Sequence, residues 1–195
     1  MTTANKVTIL RILLIPFFVV QILYYFNTGR ELHWILALVA FALAAILDGV
    51  DGYIARRFNQ KSELGAILDP LADKLLLVSA IVLLSLDSHG YLQTIPLWFT
   101  VTVISRDVLL VIGVLVVFLI CGNVPVRPRW AGKVATVLQM ITVVWTMMKW
   151  SPAWFGWWAL SAAVLTLFAG FQYLYDGMQQ LSASPRSGPS PGPKK

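Results

Sequence analysis

The chain has 195 residues, of which 58% are hydrophobic and 12% charged, and its mean hydropathy is +0.74. That balance describes an integral membrane protein short enough to form one domain. The net charge of +6 is divided among short loops and leaves no basic face for nucleic acid, and the lone cysteine, Cys121, excludes an internal disulfide or a cysteine-based metal site.

Apolar segments long enough to span a bilayer can be read at 7–26, 34–54, 68–86, 95–120, 130–150 and 154–175. They predict an all-α integral membrane fold, a six-transmembrane-helix bundle occupying residues 1–181. The remaining Ser/Pro/Gly-rich tail, 182–195, reads as disordered. The first span has Lys6 and Arg11 near its start, as a signal peptide would, but no small-x-small cleavage site follows and the span is expected to be retained.

Basic residues set the orientation. Lys6, Arg11, Arg56, Arg57, Lys61, Arg127, Arg129, Lys133, Arg186, Lys194 and Lys195 collect on one side, whereas the other side has only Arg30 and Lys149 with Glu31 and Asp87. Both termini are therefore expected in the cytoplasm. Trp34, Trp98, Trp130, Trp150, Trp154, Trp157 and Trp158 near the span ends fit interfacial belts, and His33 and His89 fall in outward loops as surface residues.

In the first span, Asn5, Thr8 and Arg11 recur at every third position and form a polar stripe. Two readings remain open for it: an interfacial helix end with a snorkelling arginine, or part of a ligand pocket.

The segment from Asp48 to Asp73 concentrates the acidic residues Asp48, Asp51, Glu63, Asp69 and Asp73 between apolar runs. A carboxylate at membrane depth costs roughly 2.5–3.5 kcal/mol or more unless compensated, so these aspartates predict bound cations. Helical spacing pairs Asp48 with Asp51 and Asp69 with Asp73. Oxygen donors without nearby His or Cys suit magnesium or manganese rather than zinc. On the face of Asp48, Gly52 and Ala55 leave room for a flat group to approach the backbone, and Arg56 is placed to meet an anion. Pro70 either starts the third helix behind an Asp69 cap or kinks a helix that began near Ser62.

Further on, ISRD sets Arg106 and Asp107 inside the fourth span, as a structural ion pair or with Arg106 holding an anionic headgroup. Lys133, Thr136 and Gln139 continue a polar stripe along the fifth span, of the kind a phosphate or glycerol needs. Arg127 and Arg129 are either ordinary positive-inside residues or the mouth of the same acceptor pocket.

The order Asp48-x-x-Asp51-Gly52-x-x-Ala55-Arg56, then Gly65, Asp69 and Asp73 at the spacing found here, resembles the complete signature of the CDP-alcohol phosphatidyltransferases. The resemblance implies that two magnesium or manganese ions are held by Asp48, Asp51, Asp69 and Asp73 across the diphosphate of CDP-diacylglycerol, with Asp73 as catalytic base. It also implies a CDP-binding set of Thr8, Asp48, Asp51, Gly52, Ala55, Arg56, Gly65 and Asp69, and continuation of the third helix through Gly65. Homodimerisation and a bacterial inner membrane are further expectations from it.

For the acceptor, the G-K-x-x-T-x-x-Q stretch at Gly132 to Gln139 resembles the corresponding helix of both the glycerophosphate-using and the cardiolipin-forming members, and together with the opening segment, DGYIARR and LDPLADK it resembles the members that use glycerol 3-phosphate. ISRDVLL is closer to the cardiolipin-forming members, whose acceptor is phosphatidylglycerol. The acceptor set expected from these stretches is Arg106, Lys133, Thr136, Gln139, Arg127 and Arg129. A membrane prenyltransferase lacks the Gly-x-x-Ala-Arg insert, and a cation transporter would spread its acids through the membrane rather than gather them at one boundary.

Overall fold

The computed structural model describes the backbone of residues 3–57, 63–86, 90–121 and 130–182, and the side chains of 8–49, 71–86, 90–117, 119 and 130–179. Among these residues every regular element is helical: α1 (Thr3–Thr28), α2 (Glu31–Arg57), α3 (Glu63–Ser85), α4 (Leu97–Cys121), α5 (Trp130–Met147) and α6 (Phe155–Ser182), the last preceded by a single 3-10 turn at Pro152–Trp154. In a low-dielectric environment a helix satisfies its own backbone hydrogen bonds, which is why long apolar runs of this kind fold as helices. Four of these helices carry stretches long and apolar enough to cross a membrane: Thr8–Thr28, Glu31–Gly49, Leu97–Val117 and Pro152–Gln179. In α3 the uninterrupted apolar run begins only after Lys74. Residues 75–86 span about 18 Å at 1.5 Å per residue, short of a hydrocarbon core of about 30 Å.

The helices pack as two units, which are described separately. The first comprises residues 1–96 with 143–150, and the second residues 97–142 with 151–195. In the first, α1 lies against both α2 and α3. Its buried positions Thr8, Arg11, Ile15, Phe18, Ile22 and Tyr25 advance by three and four residues and so form one stripe. On α2 the matching stripe is Ala37, Ala40, Phe41 and Ala44, with Phe18 and Phe41 in contact at 5.6 Å between ring centroids. Alanines on this face let the two helices approach closely. The α3 stripe, Ala72, Leu76, Leu77, Ala80, Ile81 and Leu84, completes the layer.

Gly29 turns α1 into α2. Its φ of +65° lies in the left-handed region, its N–H closes onto the Tyr25 carbonyl at 2.8 Å, and a Cβ there would stand 2.9 Å from the Tyr91 hydroxyl. Beside this turn, Lys149 has a φ of +54°. Its ammonium meets Glu31 at 3.0 Å and lies 4.4 Å from the Trp34 ring centroid, while the Trp34 indole N–H donates to the Met147 carbonyl. His33 departs from the surface role expected of it: it is half-buried, its Nδ1 is 2.7 Å from the Gln21 side-chain oxygen, and its ring stacks on Tyr24. An imidazole at the start of α2 packs across the hairpin because α1 presents both a polar and an aromatic partner one turn apart.

In the second unit α4 packs on α6. Phe99, Val103 and Arg106 continue the buried stripe of α4, and the small residues Ala159, Ala162, Ala163 and Ala169 line the facing side of α6. Gln139 of α5 donates to the Thr166 hydroxyl of α6 at 3.1 Å. The outward face of α4, including Val108, Leu109, Val111, Ile112, Leu115 and Leu119, exposes large apolar side chains, as a lipid-facing surface does.

α3 begins at Glu63, so Pro70 falls inside the helix rather than at its start, and Gly65 is helical. His89, Arg127, Arg129 and the tail 183–195 lie outside the described residues.

Candidate active site

The inner stripes of α1, α2 and α3 change from apolar to polar at the same end of the first unit. One turn before Ile15, α1 carries Arg11, and one turn before that Thr8; one turn beyond Ala44, α2 carries Asp48; one turn before Leu77, α3 carries Asp73. The helical register that builds the core therefore also converges these side chains.

Arg11 is 1% exposed and its Nη1 lies 2.6 Å from Oδ1 of Asp48, whose own side chain is 42% exposed. This geometry removes the snorkelling reading: a snorkelling guanidinium reaches water, whereas Arg11 is enclosed by its own helix layer and reaches a carboxylate. Such a charge is tolerable at this depth only because it is paired. Asp73 is half-buried and lies within electrostatic reach of Asp48, Arg11 and Lys74. Two carboxylates and two cations from three helices thus share one patch.

The backbone of α2 carries Asp51, Gly52, Ala55 and Arg56 in its last turns and that of α3 carries Gly65 and Asp69 in its first turns, but these side chains lie outside the described residues. Among the described residues no group of three or more His, Cys, Asp or Glu is assembled for a metal. Asp48 and Asp73 nonetheless suit a hard divalent ion. Both offer carboxylate oxygens, they come from different helices, and Asp48 is open enough to accept a further ligand.

In the second unit, Arg106 is 6% exposed and donates from Nη1 to Asp107 Oδ1 at 2.7 Å. Its guanidinium carbon stands 5.9 Å from the centroid of the Tyr173 ring. Lys133 is exposed; Thr136 spends its hydroxyl on the Gly132 carbonyl at 3.1 Å; Gln139 is fully buried against Thr166, with its Oε1 lacking a hydrogen-bond partner among the described residues. The polar stripe expected on α5 is thus split by depth, with one exposed cation and one buried amide.

Tyr173 carries no signal in the sequence alone, because a tyrosine near the end of an aromatic-rich helix resembles an interfacial anchor. For Arg11, spacing alone does not distinguish an enclosed arginine from a snorkelling one.

A model of the CDP-alcohol phosphatidyltransferase family matches residues 1–168. The chain belongs to that family. Over 174 residues this phosphatidyltransferase is 36% identical to the CDP-diacylglycerol--glycerol-3-phosphate 3-phosphatidyltransferases of Escherichia coli (strain K12) and Salmonella typhimurium (strain LT2), covering 86% of this chain and 90% of each relative. A protein of Salmonella typhi with the same name is similar to the same extent. The matched region of the phosphatidyltransferase includes Arg11, Asp48, Asp73, Arg106 and Gln139 and ends five residues before Tyr173.

Proposed function

We propose that this chain transfers the phosphatidyl group of CDP-diacylglycerol to glycerol 3-phosphate, giving phosphatidylglycerophosphate and CMP. The observation that carries the reading is 36% identity, sustained over 86% of the chain, to relatives whose name states this reaction. The convergence of Arg11, Asp48 and Asp73 supplies a physical basis for it.

The bond that forms joins an acceptor hydroxyl oxygen to the phosphorus bearing diacylglycerol, and the bond that breaks joins that phosphorus to the CMP oxygen. Asp73 takes the acceptor's hydroxyl proton on a carboxylate oxygen as the new bond forms. Arg11 holds Asp48 in place, so that the carboxylate enters the reaction already oriented. Thr8, Gly52, Ala55, Arg56 and Gly65 are assigned to the CDP moiety, and Arg106, Lys133, Thr136, Gln139, Arg127 and Arg129 to the acceptor.

This family generally depends on a divalent metal. Asp48, Asp51, Asp69 and Asp73 would hold magnesium or manganese ions in this chain. When bound, such ions neutralise the diphosphate and make CMP a better leaving group. The reading includes a multi-pass membrane protein, which four helices long and apolar enough to cross a bilayer support, and residence in a bacterial inner membrane, in keeping with its bacterial relatives; six crossings, cytoplasmic termini and a homodimer are its further expectations.

The test is CMP release by purified protein in mixed micelles. Release is expected only when CDP-diacylglycerol, glycerol 3-phosphate and a divalent ion are all supplied. A prenyltransferase or an ion transporter releases no CMP under any of these conditions, and that result would overturn the assignment.

A further inference from the structure

Arg106 is enclosed by residues of three helices. Its Nη1 is committed to Asp107, while its Nε is buried without a hydrogen-bond partner among the described residues. A Cβ placed on Gly132 of α5 would stand 3.3 Å from Arg106 Nη2, 2.9 Å from the Tyr173 hydroxyl and 3.2 Å from its ring. A Cβ placed on Gly170 of α6 would stand 3.3 Å from Arg106 Cγ. Two glycines on different helices are therefore cleared around one arginine, one beside its head and the other beside its stem.

Glycine inside a helix costs about 0.5–1 kcal/mol relative to alanine, and a buried guanidinium costs more unless its partners are well placed. Core packing alone would be served better by alanine and an aliphatic residue. The arrangement instead fixes one orientation of a charged fork, with the Tyr173 ring 5.9 Å from its carbon on one side and the bare Gly132 backbone beside Nη2.

We infer that Tyr173 is a positioning residue for acceptor binding: its ring, seated in the space left by Gly132, holds the Arg106 guanidinium in the orientation that receives the acceptor's phosphate. The inference rests on the assignment of Arg106 to that phosphate. Tyr173 itself does not touch the reacting atoms. A flat aromatic face suits the task because it braces a guanidinium electrostatically without consuming the N–H donors that a phosphate needs.

The experiment titrates glycerol 3-phosphate against wild type, Arg106→Gln, Tyr173→Leu and Tyr173→Phe, with CDP-diacylglycerol titrated in parallel. Tyr173→Leu is expected to raise KM for glycerol 3-phosphate about tenfold and that for CDP-diacylglycerol less than about twofold, while Tyr173→Phe, which keeps the ring, stays within about threefold of wild type. Gly132→Ala provides an independent arm. It should raise the same KM by crowding Tyr173 and Arg106, and adding Tyr173→Phe, which removes the nearest clashing atom, should recover part of the loss. If Arg106→Gln leaves KM for glycerol 3-phosphate unchanged, the acceptor assignment itself fails. If Arg106→Gln raises it but neither Tyr173→Leu nor Gly132→Ala does, or if those variants raise both KM values alike, the positioning role of Tyr173 is overturned and the acceptor assignment survives.

Discussion

Arg11 of α1 and Asp48 of α2 form an ion pair at 2.6 Å in which the guanidinium is enclosed and the carboxylate remains 42% exposed. The asymmetry is informative. An arginine that served only to anchor a helix end would be the exposed partner, whereas here the exposed partner is the group that can bind something else. Arg11→Met should destabilise the protein by about 1–3 kcal/mol, less than for a wholly buried pair because water still reaches Asp48. Asp48→Asn, which leaves the enclosed guanidinium without its carboxylate, should destabilise more, and adding Arg11→Met to it should restore much of the thermal stability without restoring CMP release. A double variant no more stable than Asp48→Asn alone would show that the pair does not carry this energy.

Asp73 lies within electrostatic reach of Asp48 and is the assigned base. Asp73→Asn should lower CMP release by about 10²–10⁴-fold while the protein still elutes as a folded species in detergent. Magnesium should raise the thermal midpoint of wild type, as any ligand of the native state does, and should raise that of Asp73→Asn by much less. An equal shift in both proteins would remove Asp73 from the ion site.

Lys149 holds opposing contributions in one residue. Its left-handed φ of +54° costs a residue with a Cβ about 1–2 kcal/mol relative to glycine, whereas its ammonium gains Glu31 and the Trp34 ring, each worth at most about 1 kcal/mol at an exposed position. Lys149→Ala loses the contacts and keeps the strained backbone; Lys149→Gly loses the contacts and relieves it. The alanine variant should therefore be the less stable of the two by thermal unfolding, with KM values unchanged in both. The reverse order would contradict this account of the turn.

Gln139 separates a packing role from a binding role. Its Nε2 bonds the Thr166 hydroxyl, which still donates to the Ala162 carbonyl without it, and its Oε1 has no hydrogen-bond partner among the described residues. Gln139→Leu should therefore change stability by less than about 1 kcal/mol. If Gln139 serves the acceptor, KM for glycerol 3-phosphate rises in the same variant. A stable Gln139→Leu protein with wild-type kinetics would confine Gln139 to packing.

The helical class and the approach of Asp48 to Asp73 could both be read from residue order, because apolar length and clustered aspartates are local properties of the chain. α1 and α2 were found close to their expected positions for that reason. Pro70 was ambiguous because a proline is compatible with a helix start and with a helix interior, and the choice depends on whether the preceding turn is helical; α3 starting at Glu63 decides it. The enclosure of Arg11 and the bracing of Arg106 by Tyr173 were beyond reach for a different reason. Each depends on which stripe of one helix meets which stripe of another, and periodicity gives the stripe without its partner. The half-buried place of His33 is hidden from sequence on the same ground, since its partner Gln21 belongs to the preceding helix.

The most direct measurement supplies purified protein with CDP-diacylglycerol, magnesium and either glycerol 3-phosphate or phosphatidylglycerol, and identifies the lipid product by mass. The account predicts phosphatidylglycerophosphate with stoichiometric CMP from the first acceptor and negligible product from the second. Cardiolipin from phosphatidylglycerol, with no product from glycerol 3-phosphate, would contradict it.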